Sequence, residues 1–294
     1  MTVMRNLLQL LSIVLATASI SLAGTSNDSL RIPRVTFAEG RLLFKPLVAN
    51  TFEPRMGILT QFGKNRLRLD IGNSLDLLEY GYPGDSSVFR TGADFFTYTL
   101  LRGEKDFHFP VDASDYLFGI NFSFKRQLQS GILSSRLRIS HISSHFVDGH
   151  YDNYIGQWKD SRPPIVYSRE FLDGVVALEP ASLHGILRAY LGATYLFHVD
   201  PKNLPRLSAE GGVEVHHELR PLLNLYCSYQ GTVLKIAETS VRHSIQVGGK
   251  LGEWQGGGLN IYLSYFSGYS VHGEYYNIKE SYFALGFLLD LPGE

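Results

Sequence analysis

From about residue 53 onward, apolar and polar positions alternate with period two, segment after segment. In residues 116–125, Tyr116, Phe118, Ile120, Phe122 and Phe124 share one face, and Leu117, Gly119, Asn121, Ser123 and Lys125 share the other. Residues 241–251 set Val241, Ile245, Val247 and Leu251 against Arg242, Ser244, Gln246, Gly248 and Lys250. Residues 282–291 set Phe283, Leu285, Phe287, Leu289 and Leu291 against Tyr282, Ala284, Gly286 and Asp290. A helix would need apolar residues at spacings of three and four, which these stretches lack, so they are predicted strands.

The pattern predicts about twelve strands, near 54–63, 67–79, 93–101, 115–125, 131–144, 166–179, 185–198, 207–216, 222–231, 241–251, 257–267 and 280–291. Most exceed the usual five or six residues of a soluble strand. Their polar face mixes glycine with opposite charges: Arg136, Arg138, Arg188, Glu210, Glu214, Arg242, Lys250 and Asp290. A soluble sandwich buries its apolar face, whereas a membrane barrel turns it outward and keeps the polar face within. From the third strand on, the long connections 102–114, 145–165, 199–206, 232–240 and 268–279 alternate with short ones at 126–130, 180–184, 217–221 and 252–256. Short periplasmic turns and longer external loops are the asymmetry of outer-membrane barrels. The expected fold is therefore all-β: a transmembrane antiparallel up-and-down β-barrel over residues 53–291, with both termini on the periplasmic side. One connection, 81–92, breaks the rule, being long on the side where turns should be short.

Two segments precede the barrel. Residues 1–23 read as a cleaved signal peptide: Arg5, an apolar run from Leu7 to Ala18, and Ser21-Leu22-Ala23 ahead of a cut before Gly24. Export to the bacterial outer membrane follows from that reading. Residues 24–52 carry two prolines and little periodicity, which predicts an extended periplasmic segment. A formal net charge of -1 and the lack of any Lys/Arg-rich run argue against a nucleic-acid partner. The lone Cys227 has no internal disulfide partner and reads as a small side chain on a strand. No cofactor or metal is expected. His141, His145 and His150 with Asp148 and Asp152 match no standard ligand spacing, and His216-His217-Glu218 lacks the four-residue separation of the metalloprotease helix motif.

Several stretches together resemble a known family: Phe44-Lys45-Pro46-Leu47-Val48-Ala49-Asn50, Arg136-Leu137-Arg138-Ile139-Ser140-His141-Ile142-Ser143-Ser144-His145, Ser168-Arg169-Glu170 and Tyr282-Phe283-Ala284-Leu285-Gly286-Phe287. The chain is similar in these to the bacterial domain-of-unknown-function family 1207. That resemblance implies an outer-membrane-type barrel and no particular reaction.

Candidate chemistry concentrates in residues 136–145. Alternation puts Arg136, Arg138, Ser140, Ile142 and Ser144 on the lumen face, and Leu137, Ile139, His141, Ser143 and His145 on the lipid face near the external rim. A histidine and a serine two apart could act as base and nucleophile on a lipid ester, given a third group to orient the imidazole. The arrangement resembles outer-membrane phospholipases and lipid A deacylases, which implies His141 as base and Ser143 as nucleophile. Asn153 in the following loop and Glu170 (with Ser168) on the next strand are the possible orienting groups. The same residues equally fit an interfacial role at the headgroups. The leading expectation is a barrel acting at the lipid surface or as a structural component, in contact with outer-membrane lipids. The alternatives are a lipid-ester hydrolase using His141 and Ser143, and a narrow channel for small solutes.

Overall fold

The computed structural model describes residues 34–81 and 86–291. The expected signal peptide lies outside the described residues. The wall is built from β2 (Met56–Gln61), β3 (Arg66–Gly81), β4 (Ser87–Arg102), β5 (Val111–Leu128) and β6 (Gly131–Phe146), following a short β1 (Arg34–Phe37). It continues with β9 (Tyr167–Pro180), β10 (Leu187–Asp200), β11 (Leu207–Arg220), β12 (Leu223–Lys235), β13 (Thr239–Gly252), β14 (Gly258–Tyr269) and β15 (Lys279–Asp290). Every barrel neighbour is antiparallel, and the β2–β15 pairing closes the wall into a 12-strand barrel. A small hairpin, β7 (Tyr151–Asp152) with β8 (Gln157–Trp158), stands in the connection between β6 and β9.

The period-two pattern becomes two chemically distinct surfaces. On β5, Tyr116, Phe118, Ile120 and Phe122 are exposed on the outer wall, while Asp115, Leu117, Asn121 and Ser123 are buried within. On β15, Phe283, Leu285, Phe287 and Leu289 face out, and Tyr282 and Ala284 face in. So continuous an apolar exterior suits lipid rather than water. Pairing of β2 with both β15 and β3 closes the wall into a cylinder, the arrangement that a membrane imposes on backbone polar groups.

Two boundaries differ from the expected ones. β3 runs to Gly81 and β4 begins at Ser87, so the expected long connection 81–92 is short and the exception disappears. Arg90 and Asp94, turned inward beside Gly92, hide the start of β4 from a search for alternating apolar residues. The connection expected at 232–240 shrinks likewise, because β12 reaches Lys235 and β13 starts at Thr239.

The segment 24–52, expected to be extended and periplasmic, differs in its later part, residues 24–33 lying outside the described residues. From about Leu43 to Arg55 the chain lies inside the barrel, with Phe44, Leu47, Ala49, Asn50 and Glu53 buried. Its register there is set by polar contacts to the wall. The Val48 N–H donates to Glu214, Arg188 donates to the Lys45 carbonyl at 3.0 Å, and Arg68 donates to the Thr51 carbonyl at 2.7 Å. Glu53 is 1% exposed and accepts from both Arg136 and Arg138. At the tip, the Phe52 ring stands 4.9 Å from the Arg169 guanidinium and 5.4 Å from that of Arg242. A segment without periodicity is buried here because the lumen offers charged partners to its backbone groups and to Glu53, and an apolar seat of Val175, Ala177 and Tyr190 to Phe44 and Leu47. Below this plug lies a chamber of about 780 Å³, bordered by Lys45, Arg55, Glu179 and Lys250.

Candidate functional site

Three adjacent strands bring the site together. His141 on β6 stands opposite Glu170 on β9, and Glu170 stands opposite His198 on β10. Directly opposed residues hold their Cβ atoms about 5 Å apart on one face, close enough for side chains to meet. They do meet. His141 Nδ1 lies 2.7 Å from Glu170 Oε1, and His198 Nδ1 lies 2.5 Å from Glu170 Oε2. A carboxylate can only accept, so each imidazole donates through its Nδ1 proton, leaving Nε2 of His141 as the basic nitrogen. The row sits on the outer wall: side-chain exposure is 25% for His141, 30% for Glu170 and 55% for His198.

Ser143 shares that face two residues along β6, between Tyr116 of β5 and Ser168 of β9 in the ladder. The Phe118 ring packs on the His141 ring at a centroid distance of 4.9 Å, limiting its rotation. Among the described residues no hydrogen bond joins His141 to Ser143. Of the two possible orienting groups, Glu170 holds the imidazole. Asn153 is exposed in the connection between β7 and β8, in no hydrogen bond with His141.

The lumen side of β6 is braced at the same level. Asp115, fully buried, accepts from His272 Nδ1 at 2.7 Å and from the Gly273 N–H at 2.7 Å. Glu274 accepts from the N–H groups of Phe146 and Ile165, and its own N–H donates to Ser144 Oγ. The 270–278 connection is thereby tied into the barrel mouth, directly behind the strand that carries His141 and Ser143. His150 stacks on Phe146 at 3.9 Å in the neighbouring connection, where burial lowers its pKa below the ordinary histidine value. Among the described residues, no group of three or more His, Cys, Asp or Glu side chains is placed to hold a metal ion.

His198 is the member that sequence reasoning misses. Counting by twos from Arg188, Tyr190 and Leu196, which are buried, assigns His198 to the lumen. A β-bulge between Leu196 and His198 shifts the register, so Phe197 and His198 are both exposed and Val199 returns inward. Bulges re-aim side chains in this way at barrel rims and active sites.

Comparison with known proteins agrees with the architecture. The outer membrane phospholipase A of Escherichia coli is similar in structure, with TM-score 0.51 and 12% identity over 82% of this chain and 93% of that one. The Salmonella typhi outer membrane phospholipase, crystallised as a dimer with bound calcium, gives TM-score 0.51 and 10% identity over 90% of this chain and 95% of that one. At such identities the likeness is one of fold. No curated protein sequence matches the chain. A family profile matches residues 103–290, including β5 through β15 and the row His141, Glu170 and His198. The chain belongs to the family described as protein of unknown function, DUF1207.

Proposed function

We propose that this protein is a bacterial outer-membrane barrel, exported by a cleaved signal peptide, whose outer wall hydrolyses acyl esters of membrane lipids. The observation that carries the reading is the 2.7 Å contact between His141 Nδ1 and Glu170 on a lipid-facing surface, with Ser143 two residues away. A carboxylate on Nδ1 fixes the tautomer and supports the charge that the imidazole acquires, as the acid of a hydrolase triad does. An interfacial histidine that only meets headgroups needs no such partner.

The chemistry follows from these positions. Ser143 Oγ attacks the ester carbonyl while His141 Nε2 takes its proton, and the imidazolium is held against Glu170. The tetrahedral adduct collapses by breaking the bond to the alcohol oxygen, which leaves with the proton from His141. Water, deprotonated by the same imidazole, then attacks the acyl-serine; fatty acid departs and Ser143 regains its proton. In this topology the site lies toward the external end of β6, so its substrates belong to the outer leaflet.

Folded protein in detergent, given mixed micelles of phospholipid or lipid A, should release free fatty acid, and a fluorophosphonate should label Ser143. Ser143→Ala and His141→Ala should each abolish release while the barrel keeps its heat-modifiable migration on gels. Folded wild-type protein that neither releases fatty acid nor takes the label returns the barrel to a structural role.

A further inference from the structure

We infer that His198 is a positioning residue for this site, holding Glu170 from the side opposite to His141. The inference rests on the hydrolase reading for its catalytic meaning, but its geometry stands by itself. Glu170 has two carboxylate oxygens, and each is used once: Oε1 by His141 at 2.7 Å and Oε2 by His198 at 2.5 Å. The three residues belong to three consecutive strands of the wall, so the ladder registers fix their spacing.

A glutamate is a poor orienting group when left alone. Its side chain has three rotatable bonds, and on an exposed wall it would sample rotamers that turn the carboxylate away from His141. Phe118 packs on His141, yet the only side chains that hydrogen-bond the Glu170 carboxylate, among the described residues, are the two histidines. The second imidazole anchors the oxygen that His141 does not use. Preorganisation of a reacting group usually depends on such a supporting contact.

The bulge in β10 is what makes the contact possible. Regular pairing would send His198 into the lumen beside Leu196, and the extra residue turns it outward onto Glu170. The far side of His198 is also occupied. Its Nε2 lies 3.9 Å from Asp200, which is paired with Lys202, and Arg206 donates to the neighbouring Phe197 carbonyl. His198 thus has a charged setting of its own and does not touch Ser143 or the path of the ester.

Two variants and two readouts test the inference. His198→Ala removes the anchor, whereas His198→Asn keeps an N–H donor near the Nδ1 position. In the alanine variant kcat should fall by about ten- to a hundredfold with KM unchanged, what losing one hydrogen bond to a charged group amounts to. The asparagine variant should recover most of the rate. Independently of turnover, the downfield Nδ1 proton of His141, seen by NMR in ¹⁵N-histidine-labelled protein, should persist in His198→Asn and move upfield or broaden in His198→Ala. If wild-type protein turns over but His198→Ala changes neither kcat nor that resonance, the positioning role is overturned and the hydrolase stands. If wild-type protein is inert but the resonance responds, the positioning role stands and the hydrolase reading falls.

Discussion

Glu53 is bonded to Arg136 across the lumen, 2.9 Å from Nη1, although 83 residues separate the two in the chain. The same carboxylate takes Arg138 at 2.9 Å, so one acid from the plug bridges two wall arginines that are each under 5% exposed, and Asp173 stands 3.4 Å from Arg138 as a second acid. Removing one partner of a buried pair leaves an uncompensated charge, at a cost of about 3–5 kcal/mol. Glu53→Ala should lower barrel stability by about that amount, read as a shift in the urea midpoint of unfolding.

That pair also predicts a response to acid. Burial raises the Glu53 pKa, but the two guanidiniums outweigh it and hold the carboxyl down at about 2, against 4.5 in an unfolded chain. A group depressed on folding contributes stability that is fully present above its unfolded pKa and is lost as pH falls through its folded one. Wild-type protein should therefore lose stability between pH 4.5 and about 2, and Glu53→Gln should show a shallower loss over that window. Equal slopes in the two proteins would contradict this account.

The plug bears on the channel alternative. Leu47, Ala49, Asn50 and Glu53 are at most 4% exposed inside the lumen. Wild-type protein inserted in a planar bilayer should give no discrete conductance steps. Replacing residues 43–52 with a Gly/Ser sequence should open a measurable pore.

Mutating the carboxylate should be more damaging than mutating its anchor. Glu170→Gln can still bond one imidazole but no longer offers a negative charge to the forming imidazolium, and the comparable change in a serine protease costs about 10⁴ in kcat. A loss of at least a hundredfold in fatty-acid release, with unchanged heat modifiability, is the expected outcome.

Inside the barrel, Tyr262 lies over Gly286, where an added Cβ would come within 2.1 Å of the ring. Both positions face the lumen near the seam, and overpacking typically costs about 1–3 kcal/mol. Gly286→Val should reduce refolding yield and lower the unfolding midpoint, while Leu285→Val on the lipid face should leave both nearly unchanged.

Much of the wall is legible in the sequence because an apolar exterior and a charged interior impose the same alternation along most of the strands. Parity alone assigns His141 and Ser143 to the outer face and Arg136 and Arg138 to the lumen, which is where the wall holds them. What parity misses has physical reasons. His198 is hidden by a bulge that local pattern does not announce. The burial of Leu43 to Arg55 depends on charges from distant strands, so no periodicity in the segment itself reveals it. The choice of Glu170 over Asn153 requires the register that sets His141 opposite Glu170.

β2 is six residues long, against twelve or more in the other barrel strands, and its pairing with β15 joins the two ends of the wall. It is also the strand that follows the plug directly: Arg55, the last residue of the segment, is covalently joined to Met56, the first of β2. Any force that draws the plug out of the lumen therefore acts as a peeling load on the shortest strand in the cylinder. Filling and closure are thus mechanically coupled, and withdrawing the plug loads the cylinder at its shortest strand.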